Sequence, residues 1–580
     1  MKLRDRALVA ILSLALIGLS IAALAPSLHS SAGSVEPTPD IPEGPDRHYV
    51  EGVLGRATNA SPFGARSAAD RALVALLFRG LVRLGPGSSI ASDLAARWDV
   101  DESGRTWTFH LRDGLYWQDG EPITADDVAF TVGVLSDPAY TGPSAESWGD
   151  VEATVIDQQT VQLRLTTPLG AFLQAATQPI APAHLLAGVP PEALADHPFG
   201  VQPVGSGPFE LVSLEPARAL LTAAAPIEAP PGNPGRPNFA TPRPPDSLAS
   251  ARPTAKPDVA VPYLSPFELR YYDDADTLRT DWDAGELDAA SGLQPESAAA
   301  LASTDGARLV SYPGTTLLAA TLDLRTSRRE FQDPAVRRAL LEAIDRDALV
   351  SDILRRLGTR ADSVIPASSP MFDAGVSKAV AFDPAAARKR LTDAGWKHAE
   401  GGWTPKGAKE RLVIELLSPE ESANPVAYAT AAAVVKAWHD IGLAVRQVPL
   451  PATDLIGERI GRGDFQVAIL PLAIGLDPDV YPLLAASQTR TGGSNVIGLQ
   501  DPDLDKLLVA ARTPVGEAAR IAAYRALQER LAARTYVLPL AFRNEYVVFR
   551  DTVIGPAARP VGTSGDRYWD VLTWRLADGS

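Results

Sequence analysis

The sequence predicts an α/β protein, and three observations lead to this class. Between residues 383 and 470, segments with the apolar period of helices alternate with short apolar segments typical of strands. Such alternation indicates an α/β lobe. A strand hairpin followed by a capped helix is evident between residues 94 and 130. The composition, 46% hydrophobic and 21% charged, is that of an ordinary globular protein with ample core.

The N-terminal residues have the features of an export signal. Lys2, Arg4 and Arg6 precede an uncharged apolar run from residue 7 to residue 25, which is long enough to span a bilayer. Cleavage after Ala32 and retention as an anchor are both open. We therefore expect residues 1–32 to be a signal peptide or N-terminal membrane anchor, followed by a flexible linker and an extracytoplasmic body, periplasmic or at the cell surface.

Composition and missing motifs exclude several classes of function. The 54 basic and 70 acidic residues give a net charge of -16, which argues against nucleic acid or an anionic membrane as the main partner. The sequence contains no cysteine and only seven scattered histidines. Motifs of serine hydrolases, zinc peptidases and P-loop nucleotidases do not occur. We expect no enzyme, no cofactor and no metal site.

The segment from Leu94 to Phe130 gives the clearest local structure. Trp107, Phe109 and Leu111 alternate with polar residues, which predicts a half-buried strand. Thr124 is placed to cap a helix whose first turn carries acidic residues.

Capping signals and apolar periods place the remaining elements. Asp333 and Pro334 form a cap and first position for a helix that buries Val336, Leu340 and Leu341. Further helices are expected at 70–78, 383–395, 426–441, 453–460, 502–512 and 514–533. Strands are expected at 49–54, 412–417, 443–448, 465–470, 537–542 and 546–549.

Two stretches carry a family resemblance. The order WTFHLRDGLYWQDG and ITADDVAF, and later FQDPAVRRALLEAIDR from Phe331 to Arg346, closely resembles the extracellular solute-binding proteins of family 5. These are the oligopeptide, dipeptide and nickel-type receptors of ABC importers. The resemblance covers about Arg47 to Leu576, except for a proline-rich stretch. It implies an α/β, two-lobed periplasmic-binding-protein fold of type II, the large family-5 type with an extra subdomain.

The resemblance also implies an order of domains along the chain. The chain crosses between lobes near Tyr312 to Thr321 and near Val537 to Phe542. The predicted units are a signal or anchor at 1–32, a linker at 33–46, lobe I at 47–88, the extra subdomain at 89–204, lobe I again at 205–311 with a disordered proline-rich insertion at 226–266, lobe II at 312–536, and a return to lobe I at 537–580.

The function implied by the resemblance is that of a non-enzymatic, exported receptor of an ABC importer. It would bind an oligopeptide or a similar-sized organic solute between its lobes and, as a monomer, present it to a permease and ATPase complex. The alternative is a membrane-anchored ligand sensor or interaction module that kept the fold without transport, because the apolar N-terminal helix and the missing lipidation cysteine permit it.

The predicted ligand-binding residues lie on loops at strand ends. One loop follows the first strand, a second runs from Tyr140 to Trp148, and a third runs from Leu472 to Asp477. In addition, Ser494 and Asn495 resemble a polar pair found in the family. The candidate residues are Thr58, Asn59, Tyr140, Trp148, Leu472, Ala473, Ile474, Gly475, Asp477, Ser494 and Asn495.

The third loop departs from the pattern of peptide-binding members. The resemblance places an aspartate three residues before an acidic-proline pair, where it holds the ligand's terminal ammonium. Asp477 and Pro478 are that pair here, and the position three before is Ile474. An apolar side chain cannot hold a buried cation, so recognition of peptides through a free N-terminus is not expected.

Overall fold

The structure is a computed structural model of the chain that describes residues 48–85, 89–144, 148–149, 151–224, 262–490 and 492–577. The expected signal or anchor, the linker and nearly all of the proline-rich insertion lie outside these residues. Among the described residues, no helix combines the length and the apolar character needed to cross a membrane.

The first part of the chain packs around one set of hydrophobic cores. Four strands of this part, in the order β4-β5-β7-β6, form a separate small sheet that is covered by α2. Its elements are β1 (Tyr49–Leu54), α1 (Ala68–Leu77), β2 (Val82–Leu84), β3 (Ile90–Ser92), β4 (Ala95–Val100), β5 (Thr106–Leu111), α2 (Ala125–Ser136), β6 (Val151–Asp157), β7 (Thr160–Leu165), α3 (Phe172–Ala175), α4 (Ala183–Leu186), α5 (Pro191–Leu194), β8 (Phe209–Glu215), β9 (Arg218–Ala223), β10 (Phe267–Tyr272), α6 (Ala275–Asp283), β11 (Ala289–Ser291) and α7 (Pro295–Ala302).

The long strand β12 (Ala307–Leu322) leads into a second set of cores. The elements that follow are α8 (Pro334–Glu342), α9 (Arg346–Ala348), β13 (Gly358–Arg360), α10 (Pro384–Asp393), β14 (Lys397–Ala399), β15 (Gly402–Thr404), β16 (Val413–Pro419), α11 (Pro425–Asp440), β17 (Ala444–Leu450), β18 (Val467–Ala473), α12 (Tyr481–Leu484), α13 (Pro502–Arg512) and α14 (Glu517–Arg534). A π-helix occupies Thr453–Ile460. The chain then returns through β19 (Val537–Arg550), β20 (Val553–Ile554) and β21 (Arg575–Leu576).

One sheet runs through both sets of cores. Its strand order among the described residues is β17-β16-β18-β12-β19-β11-β1-β10-β9-β8. The central pair, β12 and β19, is antiparallel along nearly its whole length. We call the part of the chain from residue 48 to 312 and from 545 to 577 lobe I, and the part from 316 to 543 lobe II. β12 and β19 are the two segments that cross between them.

The crossing point is a break in the ladder between β12 and β19. The register shifts between Tyr312 and Thr316, and Gly314 lies directly against the backbone of Arg543. A Cβ atom at position 314 would stand 2.0 Å from the Arg543 carbonyl oxygen. The hinge therefore depends on a residue without a side chain at this position.

Most predicted elements are confirmed, with shifts of a few residues at their ends. Thr124 caps α2 in a capping box with Asp127, and Asp333 caps α8. One prediction was wrong: the two strands expected at 537–542 and 546–549 form the single strand β19. The polar residues from Arg543 to Glu545, which lie between the two predicted strands, belong to β19 where it crosses from one lobe to the other.

Asp501 links three elements of lobe II. Its carboxylate caps α13 and accepts hydrogen bonds from Arg530 on α14 and from the Tyr536 hydroxyl. Burial opposes its ionisation, but these bonds outweigh burial and lower the pKa of Asp501 to about 2.

We predict that Gly314→Ala destabilises the protein by about 1–3 kcal/mol, because the new methyl group must displace the hinge backbone. Gly133→Ala is the matched control. Gly133 is exposed within α2, with no atom within 4 Å of the place that a methyl group would take, so this variant should gain up to about 1 kcal/mol. Urea unfolding measures both; equal stability of the two variants would contradict a tight hinge.

The low pKa of Asp501 makes a pH-dependent contribution to stability. A carboxyl whose pKa is lower in the folded state stabilises the fold above its unfolded value, near 3.9, and loses this effect as pH falls toward 2. We therefore expect Asp501→Asn to cost about 2 kcal/mol at pH 7. In urea titrations, the difference from the unmodified protein should shrink steadily between pH 5 and pH 2. A difference that does not change with pH would contradict the assignment.

Candidate functional site

A large cavity lies between the two lobes. Its volume is about 1080 Å³, just above the roughly 300–1,000 Å³ of typical ligand sites. Lobe I contributes α1 and the loop that follows β20, and the segments on either side of β6 and β7 contribute Trp148 and Phe172. Lobe II contributes the loop after β18, so the cavity is lined from both lobes.

Helix α1 forms one wall because of the spacing of its residues. Arg71, Val74, Ala75 and Phe78 follow the three- and four-residue spacing of a single helix face, and all four line the cavity. Ser67 caps this helix in a capping box with Asp70. The Asp70 carboxylate also accepts from the backbone amides of the loop after β1, which fixes the helix against the sheet.

A second part of the lobe I wall is the loop from Arg559 to Trp569. The Asp566 carboxylate accepts from the backbone amides of Gly562 and Thr563, both at 2.8 Å, which sets the loop's conformation. The buried ion pair between Arg567 and Glu51, at 2.7 Å, fastens the loop to β1. Burial by itself would lower the pKa of the Arg567 guanidinium, but the adjacent Glu51 carboxylate outweighs it and raises this pKa.

The lobe II wall is the loop that contains the predicted departure from the family pattern. Ile474 is buried, lines the cavity, and its amide donates to the Thr315 carbonyl at the hinge. The Asp477 carboxylate contacts Arg520 of α14 at 2.6 Å. Burial raises the pKa of Asp477, and the Arg520 contact opposes this shift. The carboxylate nearest to Ile474 in sequence is therefore already paired.

Three of the predicted ligand-binding residues line the cavity: Trp148, Ile474 and Asp477. Trp148 is buried and its ring stands 5.7 Å from that of Phe172, so it forms an apolar wall. Of the third loop, Leu472, Ala473 and Gly475 flank Ile474 without lining the cavity, and Ser494 does not line it either.

The other predicted residues are used inside the fold. The Tyr140 hydroxyl donates to the carbonyl of Phe63 at 2.8 Å, and this residue is buried in the lobe I core. Asn59 donates to Ala195 and accepts from Ser61, and Thr58 is exposed outside the cavity.

The hydrogen bonds of the Asn495 side chain go to nearby residues of lobe II. Its side-chain amide donates to the carbonyls of Leu484, Ala485 and Leu499 and accepts from the Leu499 amide. It is buried and fixes loops against one another. Tyr140, Asn59 and Asn495 belong to packing in this conformation, because their polar atoms are already satisfied.

Sequence reasoning identified Asp477 but missed the arginines of the wall and its other aspartates. Six arginines and four aspartates line the cavity, an excess of two positive charges in a chain of net charge -16. The spacing of Arg71 on the apolar face of α1 was a usable signal, since a charged residue there must face the core or a cavity. Arg559 lies far along the chain in a loop and carries no such signal.

The two lobes also touch at the rim of the cavity. The Gly170 amide donates to the Arg512 carbonyl at 2.7 Å. A Cβ atom at position 170 would stand 1.9 Å from the Pro514 carbonyl oxygen. The loop between β7 and α3 of lobe I and the turn between α13 and α14 of lobe II are thus in backbone contact.

Comparison with known proteins gives the same assignment from family, relatives and fold. The model of the family described as "Bacterial extracellular solute-binding proteins, family 5 Middle" matches residues 89–495. Protein XP55 of Streptomyces lividans is 28% identical over 465 residues, which is 79% of this chain and 77% of that protein. The glutathione-binding protein GsiB of Shigella flexneri is 27% identical over 353 residues, 60% of this chain and 62% of that protein.

A solved structure shows the same fold at lower identity. The oligopeptide-binding protein AppA of Bacillus subtilis, in complex with a nonapeptide, matches with a TM-score of 0.69 and 20% identity, covering 92% of this chain and 99% of that chain. The two-lobed α/β arrangement predicted from the sequence is thereby confirmed.

We predict that Asp477→Asn destabilises the protein by about 3 kcal/mol, because Arg520 is left as a largely buried cation without its carboxylate. Asp503→Asn is the matched control, since its pair with Lys506 is exposed and worth less than about 1 kcal/mol. Thermal and urea unfolding compare the two. A loss no larger than that of the control would show that the pair does not hold the loop.

Proposed function

The chain belongs to the bacterial extracellular solute-binding proteins of family 5, and on that premise we propose that it is the exported receptor that captures an organic solute for an ABC importer. The observation that carries this proposal is the cavity of about 1080 Å³ between two lobes that the described chain joins through β12 and β19. A site of this kind can enclose a solute when the lobes rotate about the two strands.

The proposed action is a population shift between open and closed forms. A solute that contacts both α1 and the loop after β18 binds the closed form better than the open form, so it favours closure. The rim contact between Gly170 and Arg512 forms only when the lobes approach. The permease and its ATPase would then recognise the closed, loaded receptor.

An oligopeptide or another organic solute of similar size is the proposed ligand. GsiB is named for glutathione, and AppA was solved with a nonapeptide, so relatives accept ligands of quite different length. The cavity of this chain has room for several residues. Its lobe II wall has Ile474 where an ammonium would need a carboxylate, and Asp477 is engaged by Arg520, so a peptide would not be held there by its N-terminus.

The proposed receptor has no catalytic activity, in keeping with a family that consists of receptors. Within the described residues, no group of three or more His, Cys, Asp or Glu could hold a metal. Anchoring through residues 1–32 and a monomeric state are likewise proposed. We also propose the domain boundaries given above, with the return to lobe I moved to follow Phe542, because Val537–Phe542 packs against the core of lobe II.

We expect the purified chain to be stabilised by at least one member of a panel of short peptides, sugars and metal chelates. A ligand at about 100 times its Kd adds about 2.7 kcal/mol to the free energy of unfolding, which a thermal-shift measurement detects. No stabilisation by any member would contradict the receptor function.

A substitution at the rim contact tests whether ligand binding depends on closure of the lobes. Gly170→Ala should reduce the ligand-induced shift, because its methyl group meets the Pro514 carbonyl when the lobes close. Gly188→Ala, an exposed position with open space around it, is the control and should respond as the unmodified protein does. An undiminished shift in the Gly170 variant would mean that closure at this rim is not linked to binding.

A further inference from the structure

The lobe I wall of the cavity carries four arginines that lack an acidic partner at close range. Arg71, Arg83, Arg112 and Arg559 line the cavity, and no carboxylate oxygen of the described residues lies within 4.0 Å of their guanidinium nitrogens. Arg112 is held by the Asp93 carbonyl at 2.6 Å and the Ser92 hydroxyl at 2.7 Å. Other arginines of the wall differ in this respect. Arg79 donates to Asp93 at 2.6 Å, and Arg512 stands 3.1 Å from Asp479.

Arg71 presents an unused donor to the cavity. Its Nη1 donates to the Arg66 carbonyl at 2.7 Å, and its Nε is buried without a partner among the described residues. Its Nη2 is neither buried nor bonded to a described residue. Burial lowers the pKa of Arg71, and Glu545 on β19 is the acidic group that most opposes this shift. The neighbouring Asp70 is committed to capping α1.

Arg559 is a buried cation held by neutral groups. Its Nη1 donates to the Gly85 carbonyl at 3.1 Å, its Nη2 to the Asp566 carbonyl at 2.8 Å, and its Nε has no partner among the described residues. Burial lowers its pKa to about 10. Carbonyl groups orient a guanidinium without neutralising it. The carboxylates of Asp566 and Asp570 also act on Arg559, but neither forms an ion pair with it among the described residues, so its charge is only partly compensated.

Arg83 completes the cationic surface. It lies on β2, where its two neighbours are buried and it alone is exposed. Arg83 and Arg559 both line the cavity. Two exposed or partly exposed guanidinium groups and a buried third therefore face the same space.

We propose that the cleft binds its solute through an anionic group, a carboxylate or a phosphate, that Arg71 and Arg83 contact and that the charge of Arg559 attracts. The planar guanidinium offers paired donors that match both groups, and the enclosed cavity strengthens the interaction. This inference rests on the proposed receptor function and names the class of ligand for it. The anionic group of the solute would be recognised by the lobe I wall, on the opposite side of the cavity from Ile474.

Matched neutral and anionic probes test the proposal on the full chain. The probes are a random tetrapeptide library with free C-termini, the same library with C-terminal amides, the library with acetylated N-termini, glucose 6-phosphate and glucose. We expect stabilisation by the free-acid library or by glucose 6-phosphate, and loss of most of it with the amide or with glucose. Acetylation of the N-terminus should leave the effect of the peptide library intact.

Variants show whether the named arginines are responsible. Arg71→Gln and Arg83→Gln should each weaken binding of the stabilising probe about tenfold or more, and Arg71→Lys, which keeps the charge, should recover part of it. Arg279→Gln, an exposed residue of α6 paired with Asp283 outside the cavity, is the control. Because Arg83 is exposed on its strand, its variant remains informative if the Arg71 variant does not fold.

The possible results separate this inference from the receptor function. Equal stabilisation by the acid and amide libraries, or by glucose and its phosphate, would overturn the anionic class while leaving a receptor. Unchanged binding in both glutamine variants would overturn the assignment to this wall. Stabilisation by the peptide library and not by glucose 6-phosphate identifies a carboxylate as the source. No stabilisation at all would contradict the receptor function and this inference with it.

Discussion

The antiparallel pairing of β12 and β19 is the constraint on which the rest of the structure depends. One pair of strands must serve two hydrophobic cores, one at each end, and the ladder shifts register at the crossing between Tyr312 and Thr316. Rotation there is limited to the few residues around Gly314, because the backbone on either side is fixed by hydrogen bonds to neighbouring strands. The cavity lies beside this point, because Ile474 lines it and donates to the Thr315 carbonyl. Under the proposed function, a small rotation at the strands would open or close it.

The charges of the cavity follow a consistent pattern. Acidic groups near it are occupied: Asp477 by Arg520, Asp93 by Arg79, and Asp566 by backbone amides. The arginines without a close carboxylate belong to lobe I. A chain with a net charge of -16 therefore has a cavity wall with more positive than negative side chains. Cationic side chains concentrated in an enclosed site favour an anionic solute and disfavour a cationic one.

Elements with local signals could be predicted from the sequence. Thr124 and Asp333 indicate helices through capping chemistry, and α/β alternation indicates lobe II. β19 was predicted as two strands, separated by the polar residues Arg543 to Glu545. In the structure these residues belong to one continuous strand, at the place where it crosses between the lobes.

The site could be predicted only in part, for a related reason. Ile474 and Trp148 were identified and line the cavity, whereas Tyr140 and Asn495, chosen for their polar or aromatic character, have their polar atoms satisfied inside the fold. The arginines of the wall come from positions as distant as 71 and 559, and their proximity follows from the return of the chain through β19. The spacing of residues within one segment cannot predict that side chains so far apart in sequence lie on the same cavity wall.

The most direct test of binding between the lobes is a crystal structure of the chain with the compound that stabilises it most. We expect the solute between α1 and the loop that contains Ile474, with Gly170 in contact with Arg512 and Pro514. A solute bound outside the interlobe cavity, or bound within it while the lobes remain apart, would contradict capture by closure of the two lobes.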